Sequence, residues 1–139
     1  DTKGWQSIEN KVYKYSFKIP KDWLKKDNST SEIMQFETSG ETKAQLRIYN
    51  GDVAKTDIPG YSIESASTKK IDCTDAKVTY STAKSANAGN EKKRLVTAQF
   101  YKTGKLYKVA FIYPTDQGAS LASDYVEAIN LVLKTIKFN

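Results

Sequence analysis

The fold is decided by the stretch Tyr13-Lys14-Tyr15-Ser16-Phe17-Lys18-Ile19-Pro20-Lys21-Asp22-Trp23. From residue 13 to residue 19 aromatic and aliphatic side chains alternate with polar ones, which is the pattern of a strand with one buried face. Pro20 ends this strand because proline has no N–H to give to a neighbouring strand. Trp23 follows closely enough to fold back over the end of the sheet. The stretch predicts structure and carries no chemistry.

The same alternation predicts two hairpins further along the chain. Ile33–Thr38 pairs with Ala44–Tyr49 across residues 39–42. Arg94–Tyr101 pairs with Leu106–Tyr113 across a tight turn, in which Gly104 is free to adopt the positive φ that such a turn requires. A further strand is marked by Val78, Tyr80 and Thr82.

The strand Leu106–Tyr113 is apolar on both faces and only Lys108 interrupts it, so we expect layers above and below an antiparallel sheet. A C-terminal helix supplies one layer, with Pro114-Thr115-Asp116 as its break and N-cap. A shorter helix is predicted over Pro59–Ser67. The apolar positions of the long helix recur at three- and four-residue spacing: Leu121, Ala122, Tyr125, Val126, Ile129, Val132 and Leu133.

The predicted fold class is therefore α+β, a three-layer α/β/α sandwich around a central antiparallel sheet. A length of 139 residues suits one domain spanning residues 1–139. No window of the sequence approaches the roughly 18 apolar residues that a membrane-spanning helix needs.

The charge balance argues against nucleic-acid recognition. The chain carries a net charge of +6, but Arg47 and Arg94 are its only arginines. Arginine makes the bidentate contacts that read bases and phosphates, whereas lysine acts as a solvated point charge. We therefore expect loose attraction to anionic surfaces and no nucleic-acid partner.

The residue types exclude the common catalytic designs. The chain has no histidine, so Ser–His, Cys–His and His-ligated metal sites are all ruled out. No phosphate-binding glycine motif is present. The acidic residues fall at predicted loops and solvent faces, and we expect neither an enzyme, nor a cofactor, nor a metal site. The carboxylates weighed as calcium ligands, and interpreted as solvated turn residues, are Asp52, Asp57, Asp72 and Asp75.

Two further features have a structural and a functional interpretation. Cys73 is the only cysteine, and with no histidine to activate it we expect a small buried residue on or beside a strand. Tyr15, Tyr101 and Tyr107 each neighbour a lysine, as in platforms that stack single-stranded nucleic acids. Because such aromatics share their face with aliphatic residues, we interpret them as core residues.

The order of elements resembles the PsbP-like family, including the PsbP-related lipoproteins of Gram-positive bacteria. Residues Phe17–Trp23 follow the family pattern F-x-I-P-x-x-W, and the chain closes on Leu133-Lys134-Thr135-Ile136-Lys137-Phe138. Family members read roughly I-x-x-S-I-K-F there, so Thr135 stands where serine is usual. The resemblance implies an α/β/α sandwich and a non-catalytic role. Metal sites proposed for photosynthetic members use histidine, which this chain lacks, so no family site and no photosystem role carry over.

We expect a non-catalytic, extracytoplasmic binding or accessory protein, the monomeric soluble part of a membrane-anchored lipoprotein. Its first residue is Asp1 rather than Met, so a boundary or a removed targeting segment is expected upstream. The expected partner is a membrane or cell-envelope protein, or an anionic envelope surface that the lysines of residues 3–26 would face. The alternatives are an intracellular protein-interaction domain of the same fold and, third, a hydrolase with a carboxylate site.

Overall fold

The computed structural model describes residues 1–40, 43–84 and 93–139. Its elements form a sheet-rich α+β fold, as predicted. In chain order they are β1 (Gln6–Asn10), β2 (Tyr15–Ile19), β3 (Leu24–Lys25), β4 (Ile33–Glu37), β5 (Gln45–Asn50), a 3-10 helix (Gly51–Lys55), β6 (Tyr61–Ile71), β7 (Thr74–Ala83), β8 (Lys93–Lys102), β9 (Lys105–Pro114), α1 (Ala119–Thr135) and β10 (Lys137–Phe138).

The strands form two antiparallel sheets. The large sheet has the order β3-β4-β5-β9-β8-β7-β6, and the small sheet has the order β1-β2-β10. β9 therefore lies at the centre of the large sheet, and β2 lies at the centre of the small one. The two ends of the chain meet in the small sheet, because Phe138 pairs with Tyr15.

The predicted hairpins are confirmed by the strand pairing. β4 pairs with β5, and β8 pairs with β9 in the register that puts Lys102 opposite Lys105. Gly104 has a φ of 80° in that turn, and Thr103 precedes it with a φ of 49°. The predicted turn residues Glu41 and Thr42, and residues 85–91 of a predicted loop, lie outside the described residues.

One face of the large sheet carries the buried core, and we call it the first face. The ring of Tyr107 on β9 lies 5.9 Å from that of Tyr15 on β2, so the small sheet packs here. Tyr125 of α1 lies 5.9 Å from Phe111 on the same side of β9. From α1, Ile129, Val132 and Leu133 are buried in this core. The predicted C-terminal helix is confirmed, and it covers the first face together with the small sheet.

The opposite side of the large sheet, which we call the second face, is covered differently from what the sandwich prediction requires. β9 is buried on both faces, as predicted. Among the described residues, however, the second face carries no α-helix. It is crossed by residues 51–60, which begin with the 3-10 helix and connect β5 to β6 past the three strands β9, β8 and β7. We call residues 51–60 the crossover segment.

Two local predictions about helices are wrong. Residues 59–67 do not form a helix, since Tyr61–Ile71 is the eleven-residue edge strand β6. Its serines disfavour a helix interior, its β-branched and aromatic residues suit a strand, and β7 supplies the hydrogen bonds. The N-cap of α1 is Gly118 rather than a residue of 114–116, and no side chain caps the first turn.

Trp23 is a core residue whose substitution should clearly destabilise the fold. Its ring is 6% exposed and stacks on Phe111, with centroids 5.4 Å apart and planes 9° apart. Trp23→Ala should lower the free energy of unfolding by about 3–5 kcal/mol because it leaves a large cavity. The matched control is Leu24→Ala at the next position, where the side chain is 67% exposed and the cost should stay within about 0.5 kcal/mol. Urea denaturation measures both, and equal losses would contradict the packing.

A buried polar network joins the two sheets. The Tyr15 hydroxyl donates to Asn50 Oδ1 at 2.7 Å, and Asn50 Nδ2 donates to the carbonyl of Ser31 at 2.9 Å. Asn10 Nδ2 donates to the same carbonyl at 2.9 Å. Burial raises the pKa of the Tyr15 hydroxyl above its ordinary value, and the hydrogen bonds to Asn50 and Asn10 offset part of that rise.

The pKa of Tyr15 predicts alkaline instability. A tyrosine whose pKa is raised by folding stabilises the protein fully below about pH 10, its unfolded value, and loses that contribution as the pH rises further. The free energy of unfolding should therefore fall above pH 10, and it should fall less steeply in Tyr15→Phe. At pH 8 this variant should cost about 1–3 kcal/mol because it leaves Asn50 Oδ1 without its donor.

Denaturation at pH 8 and pH 11 tests this, with Tyr101→Phe as the control because its ring is 63% exposed. If the free energy of unfolding falls as steeply with pH in Tyr15→Phe as it does in Tyr101→Phe, the titration of Tyr15 is not coupled to unfolding.

Candidate functional site

The exposed thiol of Cys73 corrects the sequence prediction. Cys73 lies beside a strand, as expected, but it is exposed rather than buried. It forms with Asp72 the two-residue turn between β6 and β7, where their φ values are 47° and 63°. Positive φ at both positions is what a tight hairpin of this kind demands. The exposure of the Cys73 thiol thus follows from its place in this turn.

The four carboxylates weighed as cation ligands are spread over the surface. Asp72 accepts a hydrogen bond from the backbone N–H of Phe138 at 3.0 Å. Asp75 pairs with Lys70 at 2.6 Å, and Asp52 pairs with Lys55 at 3.5 Å. Asp57 lies on the crossover segment. Within residues 1–40, 43–84 and 93–139, no three acidic or cysteine side chains come together as a metal site would require.

The aromatic residues beside lysines divide into two groups. Tyr15 and Tyr107 are each 2% exposed and belong to the core, as predicted. Tyr101 is the exception, since it stands on the second face, where it lines a groove.

A large concavity lies on the second face, beside the crossover segment, and we call it the crossover groove. Its volume is about 910 Å³. The floor comes from the adjacent strands β7 and β8, where Thr79, Ser81 and Thr97 have small side chains that leave room above the sheet. The hydroxyls of Thr79 and Thr97 hydrogen-bond to each other. One wall is the segment Asp57–Tyr61.

Lys108 fixes the crossover segment over the sheet. This side chain is 4% exposed, and its ammonium donates to the carbonyl of Thr56 at 2.5 Å. Burial lowers the pKa of Lys108 below its ordinary value, and the charge of Asp57 offsets part of this. No carboxylate among the described residues lies within ion-pairing distance of the ammonium. A buried cation without such a partner costs free energy that an anion in the groove would recover.

Arg47 contributes a second positive charge to the second face. It pairs with Ala110 across β5 and β9, and its guanidinium donates to Gln45 Oε1 at 2.8 Å. Its Nε is buried without a hydrogen-bond partner among the described residues. Burial raises the pKa of Tyr61, which lines the groove, and the charge of Arg47 opposes that rise. Arg47 thus adds positive charge to the second face, outside the lining of the groove.

A second positive feature lies on the outer face of the small sheet. Lys18 of β2, Lys134 of α1 and Lys137 of β10 surround a shallow depression of about 320 Å³ that also includes Thr2 and hydroxyl side chains. We call these three lysines the lysine patch. Lys137 is placed by its pairing with Ser16, and the backbone N–H of Lys18 donates to the hydroxyl of Thr135 at 2.8 Å. None of the three pairs with a carboxylate within the described residues.

The expectation that residues 3–26 present one basic face needs refinement. Lys18 belongs to the lysine patch, together with two residues from the opposite end of the chain. Lys26 is instead engaged by Glu37 at 2.7 Å, near the far edge of the large sheet. Sequence reasoning singled out Lys108 as the interruption of an apolar strand, but it missed the groove. The only signal for it was that a lysine in a doubly buried strand needs a partner.

Comparisons with known proteins show the fold. No protein-family model matches the sequence, and no curated protein matches it. The solved structure of cyanobacterial PsbP (CyanoP) from Synechocystis sp. PCC 6803 is similar, with a TM-score of 0.66 at 11% identity over 97% of this chain and 92% of that one. The fold is PsbP-like.

A crystal structure from Bacteroides thetaiotaomicron VPI-5482 is similar as well, with a TM-score of 0.63 and 13% identity. The match covers 96% of this chain and 48% of that one, so this chain spans about half the length of the Bacteroides protein. At such identities the likeness concerns the backbone and transfers no activity.

Proposed function

We propose that this chain is a non-catalytic binding or accessory protein that works outside the cytoplasm, as the monomeric soluble part of a membrane-anchored lipoprotein. The lysine patch is the observation that carries the proposal. Three ammonium groups without carboxylate partners among the described residues form a surface that suits an anionic layer of the envelope. The PsbP-like fold, which the chain shares with the cyanobacterial PsbP, agrees with an accessory role.

The strength of the attraction can be judged from general magnitudes. Each lysine close to an anionic membrane surface contributes about 1 kcal/mol. The three lysines of the patch would thus supply about 3 kcal/mol, which is weak for a protein free in solution. A lipid anchor would raise the effective concentration of the patch at the membrane and make this attraction sufficient. No helix of the described residues has the length and hydropathy of a membrane span.

Vesicle binding tests the proposed surface. The chain should co-sediment with vesicles that contain anionic phosphatidylglycerol and not with vesicles of phosphatidylcholine alone. Binding should vanish at about 0.5 M salt, where charges are screened within a few ångströms. The triple variant Lys18→Gln, Lys134→Gln, Lys137→Gln should lose most of the binding.

The matched control is Lys25→Gln, Lys55→Gln, Lys70→Gln, which removes the same charge from other exposed positions. Equal losses in both triple variants would contradict a specific patch. Fractionation of source cells tests the compartment: recovery of the full-length protein in the cytosol would favour the intracellular protein-interaction domain instead.

A further inference from the structure

The register of the strands arranges the crossover groove in rows. Lys77, Gln99 and Lys108 lie opposite one another on β7, β8 and β9, and all three line the groove. We call these three residues the donor row. Since neighbouring strands are about 4.8 Å apart, the two lysines start about 10 Å apart, with the Gln99 amide between them. The exposed Lys77 side chain is free to bring its ammonium towards that of the fixed Lys108, so that both can contact one anionic group.

An apolar row lies further along the strands in the groove. Two residues along the strands from the donor row come Thr79 and Thr97, and after another two come Leu95 and, on β6, Ile63. Leu95 is buried, whereas Ile63 is 63% exposed although it is a large apolar residue. Four residues of strand separate the donor row from this apolar row, a distance of about 13 Å, and the hydroxyls of Thr79 and Thr97 lie between them. In the opposite direction the groove continues past the donor row to Tyr101 and Leu106.

The charges around the groove favour an anion. Lys84 lines it in addition to the two lysines of the donor row. Two carboxylates also line it, but that of Asp75 is paired with Lys70 at 2.6 Å, on the side of the sheet edge. Among the lining residues that the structure describes, this leaves the carboxylate of Asp57 to oppose three ammonium groups. The local field is therefore positive, and it acts near buried surface, where screening is weak.

We propose that the crossover groove binds a small amphiphilic organic anion. Its carboxylate or phosphate group would lie at the donor row, between Lys77 and Lys108. Its apolar body would extend over Thr79 and Thr97 towards Leu95 and Ile63. This assigns the second face a ligand and goes beyond the envelope contact made by the lysine patch.

Isothermal titration calorimetry with four probes tests the assignment on the wild-type chain. Octanoate and octyl phosphate carry both an anionic group and an apolar body. Octanol lacks the charge, and inorganic phosphate lacks the body. Both amphiphilic anions, or one of them, should bind at least about tenfold more tightly than octanol and inorganic phosphate, as loss of a charge-assisted hydrogen bond implies. Preference between the two identifies the head group.

Variants locate the binding. Lys77→Gln changes an exposed residue. It should weaken binding of the anionic amphiphile about tenfold and leave binding of octanol unchanged. Lys25→Gln, at an exposed position of β3 and outside the groove, is the matched control and should bind like the wild type. Lys108→Gln should weaken binding further. If that variant does not fold, Thr97→Leu, which fills the floor, takes its place.

Four results would overturn the proposal. Octanol could bind as tightly as octanoate, Lys77→Gln could behave like Lys25→Gln, or none of the probes could bind at millimolar concentration. Loss of octanoate binding in the triple variant of the lysine patch would also overturn it, because that result would place the ligand on the other side of the molecule.

Discussion

The whole structure depends on the central strand β9, which is buried on both faces. On the first face its aromatic side chains receive the two ends of the chain. Tyr107 packs against Tyr15 of β2 and against Phe138 of β10, with ring centroids 5.9 Å and 5.0 Å apart. On the second face Lys108 holds the crossover segment through the carbonyl of Thr56. One strand thus fixes the small sheet, the C-terminus and the groove.

Much of this arrangement could be predicted from local patterns. Five strands show either alternating apolar and polar side chains or an apolar run, namely β2, β4, β5, β8 and β9. The helix α1 has a clear apolar stripe. The helix predicted over residues 59–67 shows where such reasoning fails. β6 lies at the sheet edge and is exposed along most of its length, so it has no buried face to impose alternation. Its structure comes from pairing with β7, which is information the segment itself does not contain.

The candidate sites were harder to predict because each is assembled from distant parts of the chain. The lysine patch combines Lys18 with two residues more than a hundred positions later, and it exists only because β10 pairs with β2. The crossover groove needs the register of β7, β8 and β9 and the path of residues 51–60 across them. Lys108 was the one residue whose position in an apolar strand signalled an unusual environment, and nothing local indicated that its partner would be Thr56.

The two positive surfaces point in opposite directions, and this bears on how the protein would work. The small sheet packs on the first face of the large sheet through Tyr15, Phe17 and Ile19, so the intervening Lys18 projects outward from that side. The crossover groove opens on the second face. A molecule that rests on an anionic surface through the lysine patch would therefore keep its groove open to the medium. Because the field of each cluster is screened beyond about 10 Å, an anion in the groove would leave the attraction of the patch nearly unchanged.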